Sequence, residues 1–198
     1  MLGFTAVQVA GSAHASVSGF YGTGVDIVGG VDQAWSLIPG GSTGTPIVSG
    51  RAYPFEPSST SVFPYGHWLV PSTGYWDTPD RGNTLVNTNR DPSVIGVYEW
   101  QTTFSSTGTG PLTLDFAADD AVSSIALNGD TVWTSDHCLT GNSCPNDFSS
   151  RLTATITGGF ASGTNTLDFF VVNYAQNGGN PTGLYVASVS EAASSSPI

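Results

Sequence analysis

Apolar and polar positions alternate most regularly from Val94 onward. Tyr98, Trp100 and Phe104 fall on one side at period two, with Glu99, Gln101 and Thr103 on the other; this spacing predicts a half-buried strand. Leu112, Leu114 and Phe116 repeat it against Thr113 and Asp115. Ile125 and Leu127 run into Asn128-Gly129, a pair suited to a type I′ hairpin turn, and Val132 and Trp133 mark the return strand. Leu152, Ala154 and Ile156 alternate with threonines. Leu167 to Val172 carries apolar residues on both faces, which predicts a central strand.

The flanking regions are more broken. Val25 to Ile38 holds two short strand-like runs split by Gly29-Gly30. Pro46 to Phe55 and Ser61 to Val70 supply further β segments interrupted by proline, the mark of edge strands. Pro71 to Pro92 is rich in turn formers and has little periodicity. It is the longest irregular segment, and long ordered loops in compact domains tend to carry function. Leu184 to Val189 closes the pattern. No segment has a helical period and no internal repeat is present, so the predicted class is all-β: an antiparallel β-sandwich with tight hairpins.

Size and composition agree with that class. The 198 residues fit one domain, which buries roughly 70% of its unfolded surface. Only 10% of the residues are charged, and Gly, Ser and Thr fill much of the remainder. The formal net charge is −11, from 15 acids against four arginines and no lysine. Nucleic acid and anionic lipid are poor partners for such a chain, because both are bound by displacing counterions with a basic patch. No apolar run reaches the roughly 18 residues needed to span a bilayer.

Met1 to Ala15 ends in Ala13-His14-Ala15, the small-x-small pattern of signal-peptide cleavage, after a mildly apolar run without a basic start. The expected organisation is the remnant of a signal peptide over 1–15, a sandwich domain over 16–190 and an unordered Ser-rich tail over 191–198. Cys138 and Cys144 enclose five residues in a loop with Gly, Asn and Pro nearby, which predicts a local disulfide in an exported protein. A ring this small adds about 2 kcal/mol, so its role is to stiffen the loop. Zinc would require two further ligands at metal spacing, and only His137 stands near.

Signals for catalysis are weak. Gly40 to Gly44 matches GxSxG formally, but a nucleophile elbow requires a strand before it and a helix after it. Glu56, Glu99 and Glu191 are the only glutamates, and no Asp spacing singles out the facing carboxylates of a glycosidase. Asp119-Asp120 and Asp77 to Asp80 are candidates for a structural calcium, though neither matches an EF-hand loop.

Carbohydrate binding asks for aromatic faces flanked by Asp, Asn or Arg. The His67 to Asp91 loop concentrates these: Trp68, Tyr75, Trp76, Asp77, Arg81 and Asn83 are the candidate ligand-binding residues, with Tyr174, Gln176 and Asn177 as a second wall. The same tryptophans also read as core plugs covering one end of a sandwich, with Arg81 paired to a neighbouring Asp.

Two sets of motifs carry a family likeness. The acidic pair Asp119-Asp120, Leu127-Asn128-Gly129, Phe148 and Gly163 to Leu167 resemble the jelly-roll sugar-binding domain of β-galactosidase-type glycosidases. Thr23 to Asp26, Asp32, Trp35, Trp68, Trp76, Phe169 to Asn173 and Pro181 to Leu184 resemble exported bacterial proteins of the PEP-CTERM sorting type, whose ectodomains are galactose-binding-like sandwiches. Proteins of that type carry a Pro-Glu-Pro signal, a membrane helix and a basic end; residues 1–198 contain none of these. The resemblance implies a galactose-binding-like jelly roll, export to the extracellular space or cell surface, and a carbohydrate partner without catalysis. The rival expectation is a structural or adhesive envelope protein that self-associates through edge strands. A third is an accessory fragment of a hydrolase.

Overall fold

The computed structural model describes residues 17–39, 50–56, 67–79, 96–108, 111–136, 147–174 and 181–187. Its strands are β1 (Val17–Ser18), β2 (Ile27–Val28), β3 (Val31–Asp32), β4 (Trp35–Leu37), β5 (Tyr53–Phe55), β6 (Trp76–Thr78), β7 (Gly96–Thr107), β8 (Leu112–Asp119), β9 (Ala121–Leu127), β10 (Asp130–Thr134), β11 (Leu152–Ile156), β12 (Ser162–Asn173) and β13 (Gly183–Val186). One sheet runs β1-β7-β12-β9-β10, with β4 sharing the β7 edge; a second runs β11-β8-β13-β6-β5; β2 and β3 form a separate hairpin. All pairings are antiparallel. The chain is therefore an all-β sandwich. Among the described residues no helix is long and apolar enough to cross a membrane.

The period-two pattern does what it predicts. Tyr98, Trp100 and Phe104 of β7 are buried while Thr103 is exposed, and Leu112, Leu114 and Phe116 are buried while Thr113 is exposed. β12 lies between β7 and β9, so the residues flanking its inward side chains are also partly covered. Phe116 of one sheet meets Phe169 and Trp133 of the other edge-on, each at 5.4 Å between ring centroids. Trp35 closes one side against Phe169 at 5.8 Å and Phe20 at 6.4 Å. Fully burying each such side chain contributes on the order of 1.5–3 kcal/mol.

Asn128 and Gly129 both take positive φ, 54° and 87°, and Asp130 pairs with Leu127 across them; this is the two-residue turn that the pair predicts. The turn docks on the start of β12. Asn128 exchanges backbone bonds with Thr166, through its own N–H and its side-chain oxygen, and its amide donates to Asn165 Oδ1 at 2.9 Å. Asn165 is fully buried: its Oδ1 also accepts from Ala161 N–H, and its Nδ2 donates to the carbonyls of Ala161 and Gly163. The two turn motifs of the sequence thus lock together.

Three segments differ from the sequence expectation. Trp76–Thr78, inside the stretch that lacks periodicity, is a strand, because it is buried on both faces and so has no alternation to show. Within Ser61 to Val70, the described residues 67–70 form no strand. The last strand is Gly183–Val186. The expected leader and tail, the GxSxG segment, and Cys138 with Cys144 lie outside the described residues.

Candidate functional site

Over β13, β6 and the end of β8 the outer face of the second sheet is covered. Ala117 and Tyr185 alternate with the inward residues Phe116, Ala118, Leu184 and Val186, and Trp68 and Trp76 cover them. The two indoles lie 4.3 Å apart with a 32° tilt, and Phe55 meets Trp68 edge-on at 5.7 Å. Trp76 Nε1 donates to Leu69 O at 2.9 Å, and Leu69 N–H donates to Phe148 O. Gly183 admits this layer: a Cβ there would stand 2.8 Å from the Trp68 ring.

Trp68 and Trp76 are 3% and 0% exposed, so neither offers a ring face to a ligand; Tyr75 is half-buried and Asp77 is buried. Trp68 and Trp76 form a packed layer, while the Tyr75 backbone bonds Thr23 and Asp77 pairs with the inward Leu184. Arg81, Asn83, Gln176 and Asn177 lie outside the described residues. Asp119 and Asp120, joined by a cis peptide, are buried in a knot of bonds at one end of the sandwich. Trp68 Nε1 donates to Asp119 Oδ2 at 2.6 Å, Thr182 Oγ1 to Asp119 O at 2.6 Å, and Tyr174 N–H to Asp120 Oδ2 at 2.7 Å.

Asp77 faces the other way from Trp76. It pairs with Leu184, an inward residue, so its carboxyl points to the inter-sheet side. There it meets the segment Thr23-Gly24 and the end of the β2–β3 hairpin. Thr23 staples that segment: its N–H donates to Val186 O, its Oγ1 to Tyr75 O at 2.7 Å, and its carbonyl accepts from Tyr75 N–H. Asp32 Oδ2 accepts from Gly24 N–H at 2.5 Å and Oδ1 from Ala34 N–H at 2.8 Å. Neither Asp77 oxygen makes a hydrogen bond of good geometry, although Gly24 N–H and the Asp32 carboxyl are near enough to act on its charge. Burial, and then the Asp32 charge, push the Asp77 carboxyl well above the usual carboxylate range.

Asp32 also lines an open groove of about 520 Å³. Its walls are the β2–β3 hairpin, β4 and residues 50–51, with Val28, Gln33, Trp35, Ser36 and Arg51 contributing. Gln33, Ser36 and Arg51 are polar groups at the surface, and the volume falls within the ordinary range for small-ligand sites. Sequence reasoning missed this groove. Gln33 lies in the bend between β3 and β4 and Ser36 in the short β4, and Arg51 is brought near them by the bridge of Ala52 to Asp32. Among the described residues no cluster of three or more His, Cys, Asp or Glu side chains gathers in metal-binding fashion. In comparisons with known proteins no family model, curated sequence or solved structure matches this chain.

Proposed function

We propose that this chain is an exported, non-catalytic module of galactose-binding-like, jelly-roll type that binds extracellular carbohydrate in the groove between the β2–β3 hairpin and β4. The observation that carries the reading is the groove itself. A cleft of about 520 Å³ has room for one or two sugar rings, within the range of small-ligand pockets. Gln33 and Arg51 supply donors for hydroxyl oxygens, Ser36 both donates and accepts, and the exposed Val28 supplies apolar wall. With Trp68 and Trp76 occupied in packing, the reading moves the sugar from the 67–91 loop to this cleft.

A glycan array probed with wild type, Gln33→Ala and Arg51→Ala tests it. Binding of a glycan class by wild type, weakened tenfold or more in both folded variants, is the expected result; no binding, or equal binding by all three, sinks the reading.

A second reading has its own observation. Tyr21, Val25, Ile27, Val28 and Val70 expose between 39% and 63% of their surface, and the 21–28 and 70–75 segments are joined through Thr23 and Tyr75. Apolar residues gathered in this way suit an adhesive or self-associating envelope protein. Light scattering that rises with concentration, and falls in Val28→Ser with Val70→Ser, favours that reading.

A further inference from the structure

Two acids share the space behind the groove, and among the described residues no base cancels their charges. Asp32 is 2% exposed and Asp77 is fully buried. Both Asp32 oxygens are held by backbone N–H groups, of Gly24 and Ala34. Asp77 has two oxygens without a hydrogen-bond partner. The chain has no lysine. Of the described arginines, Arg151 bonds Ser72 and lies over the Tyr185 ring, and Arg51 is an exposed residue on the groove wall.

Leaving a buried carboxylate uncompensated is strongly unfavourable, so something must neutralise this pair. A single proton shared between the acids cancels one of the two charges and leaves the other buried. A hard divalent cation bound by both Asp77 oxygens and by Asp32 satisfies all of them and cancels two charges. Among the described residues neither a His nor a Cys lines this pocket, and a zinc-type ion would want such ligands.

We propose that Asp77 and Asp32 hold a divalent cation of the calcium type, reached through the groove wall, with water completing its oxygen shell. Calcium suits the site better than magnesium because it accepts bidentate carboxylates and irregular geometry. The ion would tie β6 to the β2–β3 hairpin and so hold one wall of the groove in place. This inference is independent of what the groove binds.

The test uses the full chain stripped with chelator and titrated at neutral pH with calcium chloride or magnesium chloride, followed by calorimetry and thermal melting. Expected is one saturable calcium site and a Tm rise of about 5 °C or more at saturation, with at least a tenfold preference over magnesium. Asp77→Asn keeps the shape, removes the charge and is expected to abolish both responses while melting, metal-free, no lower than metal-free wild type. Asp120→Asn, in the turn between β8 and β9, serves as the control and is expected to keep calcium binding. The proposal is overturned by a wild type silent up to millimolar calcium, by an Asp77→Asn protein that still responds, or by loss of binding in Asp120→Asn alone.

Discussion

The indoles of Trp68 and Trp76 stack 4.3 Å apart on the outer face of the second sheet, and Trp68 Nε1 is anchored on Asp119 at 2.6 Å. A sandwich usually presents that face to water; here it gains a third layer. Trp76→Ala empties a fully buried site and is expected to destabilise by about 3–5 kcal/mol. Trp68→Phe retains a ring but loses the bond to a buried acid, an expected loss of about 1–3 kcal/mol. Urea unfolding followed by fluorescence measures both, and a change below 1 kcal/mol in Trp76→Ala contradicts the layer.

Asn165 joins the two turn motifs through four side-chain hydrogen bonds. Asn165→Ala leaves the Asn128 amide and the carbonyls around it without this partner, and about 2–4 kcal/mol of stability should go with it. Asn165→Asp retains the acceptor and loses both donors, placing a carboxylate near two carbonyls. It is expected to be at least as damaging as the alanine variant, which the same unfolding curves can rank.

On the outer face of the first sheet, Gln101 Nε2 donates to Asp168 Oδ1 at 2.8 Å, and Glu99 lies on the same face nearby. Desolvation raises both carboxyls above their ordinary values; the Asp168 charge adds to the rise at Glu99, and the Gln101 bond partly offsets that at Asp168. The folded chain therefore keeps protons that the unfolded chain has released. Their destabilising contribution is absent below the ordinary carboxylate range, about pH 4, and grows as pH rises through the raised folded values. Asp168→Asn should flatten that part of the Tm profile and raise Tm at pH 7 relative to wild type. An unchanged profile between pH 4 and 7 refutes the coupling.

Gly24 takes φ +62° where its segment meets Tyr75, and a Cβ there would stand 2.5 Å from the Tyr75 Cβ. Gly24→Ala is expected to destabilise by more than 2 kcal/mol, combining the left-handed backbone with a clash. Gly158→Ala meets nothing within 4 Å and should change stability by no more than about 1 kcal/mol. Thermal melts of the pair distinguish a required approach from an incidental glycine.

How far the sequence goes differs from one residue set to the next. Alternation along Tyr98, Trp100 and Phe104, the Asn128-Gly129 turn and the doubly apolar Leu167 to Val172 stretch determine the class, the hairpin and the central strand, because period-two burial and turn chemistry are local properties. Trp76–Thr78 escapes that logic: a short strand buried on both faces looks like loop until its neighbours β5 and β13 are in place. Which way Trp68 and Trp76 point is likewise a tertiary matter, decided by Ala117, Tyr185 and the space above Gly183. The same holds for the meeting of Asp32 and Asp77, 45 residues apart along the chain. Burial of one carboxyl beside another follows from how the β2–β3 hairpin folds over the sheet edge, a long-range packing relation that no local pattern encodes.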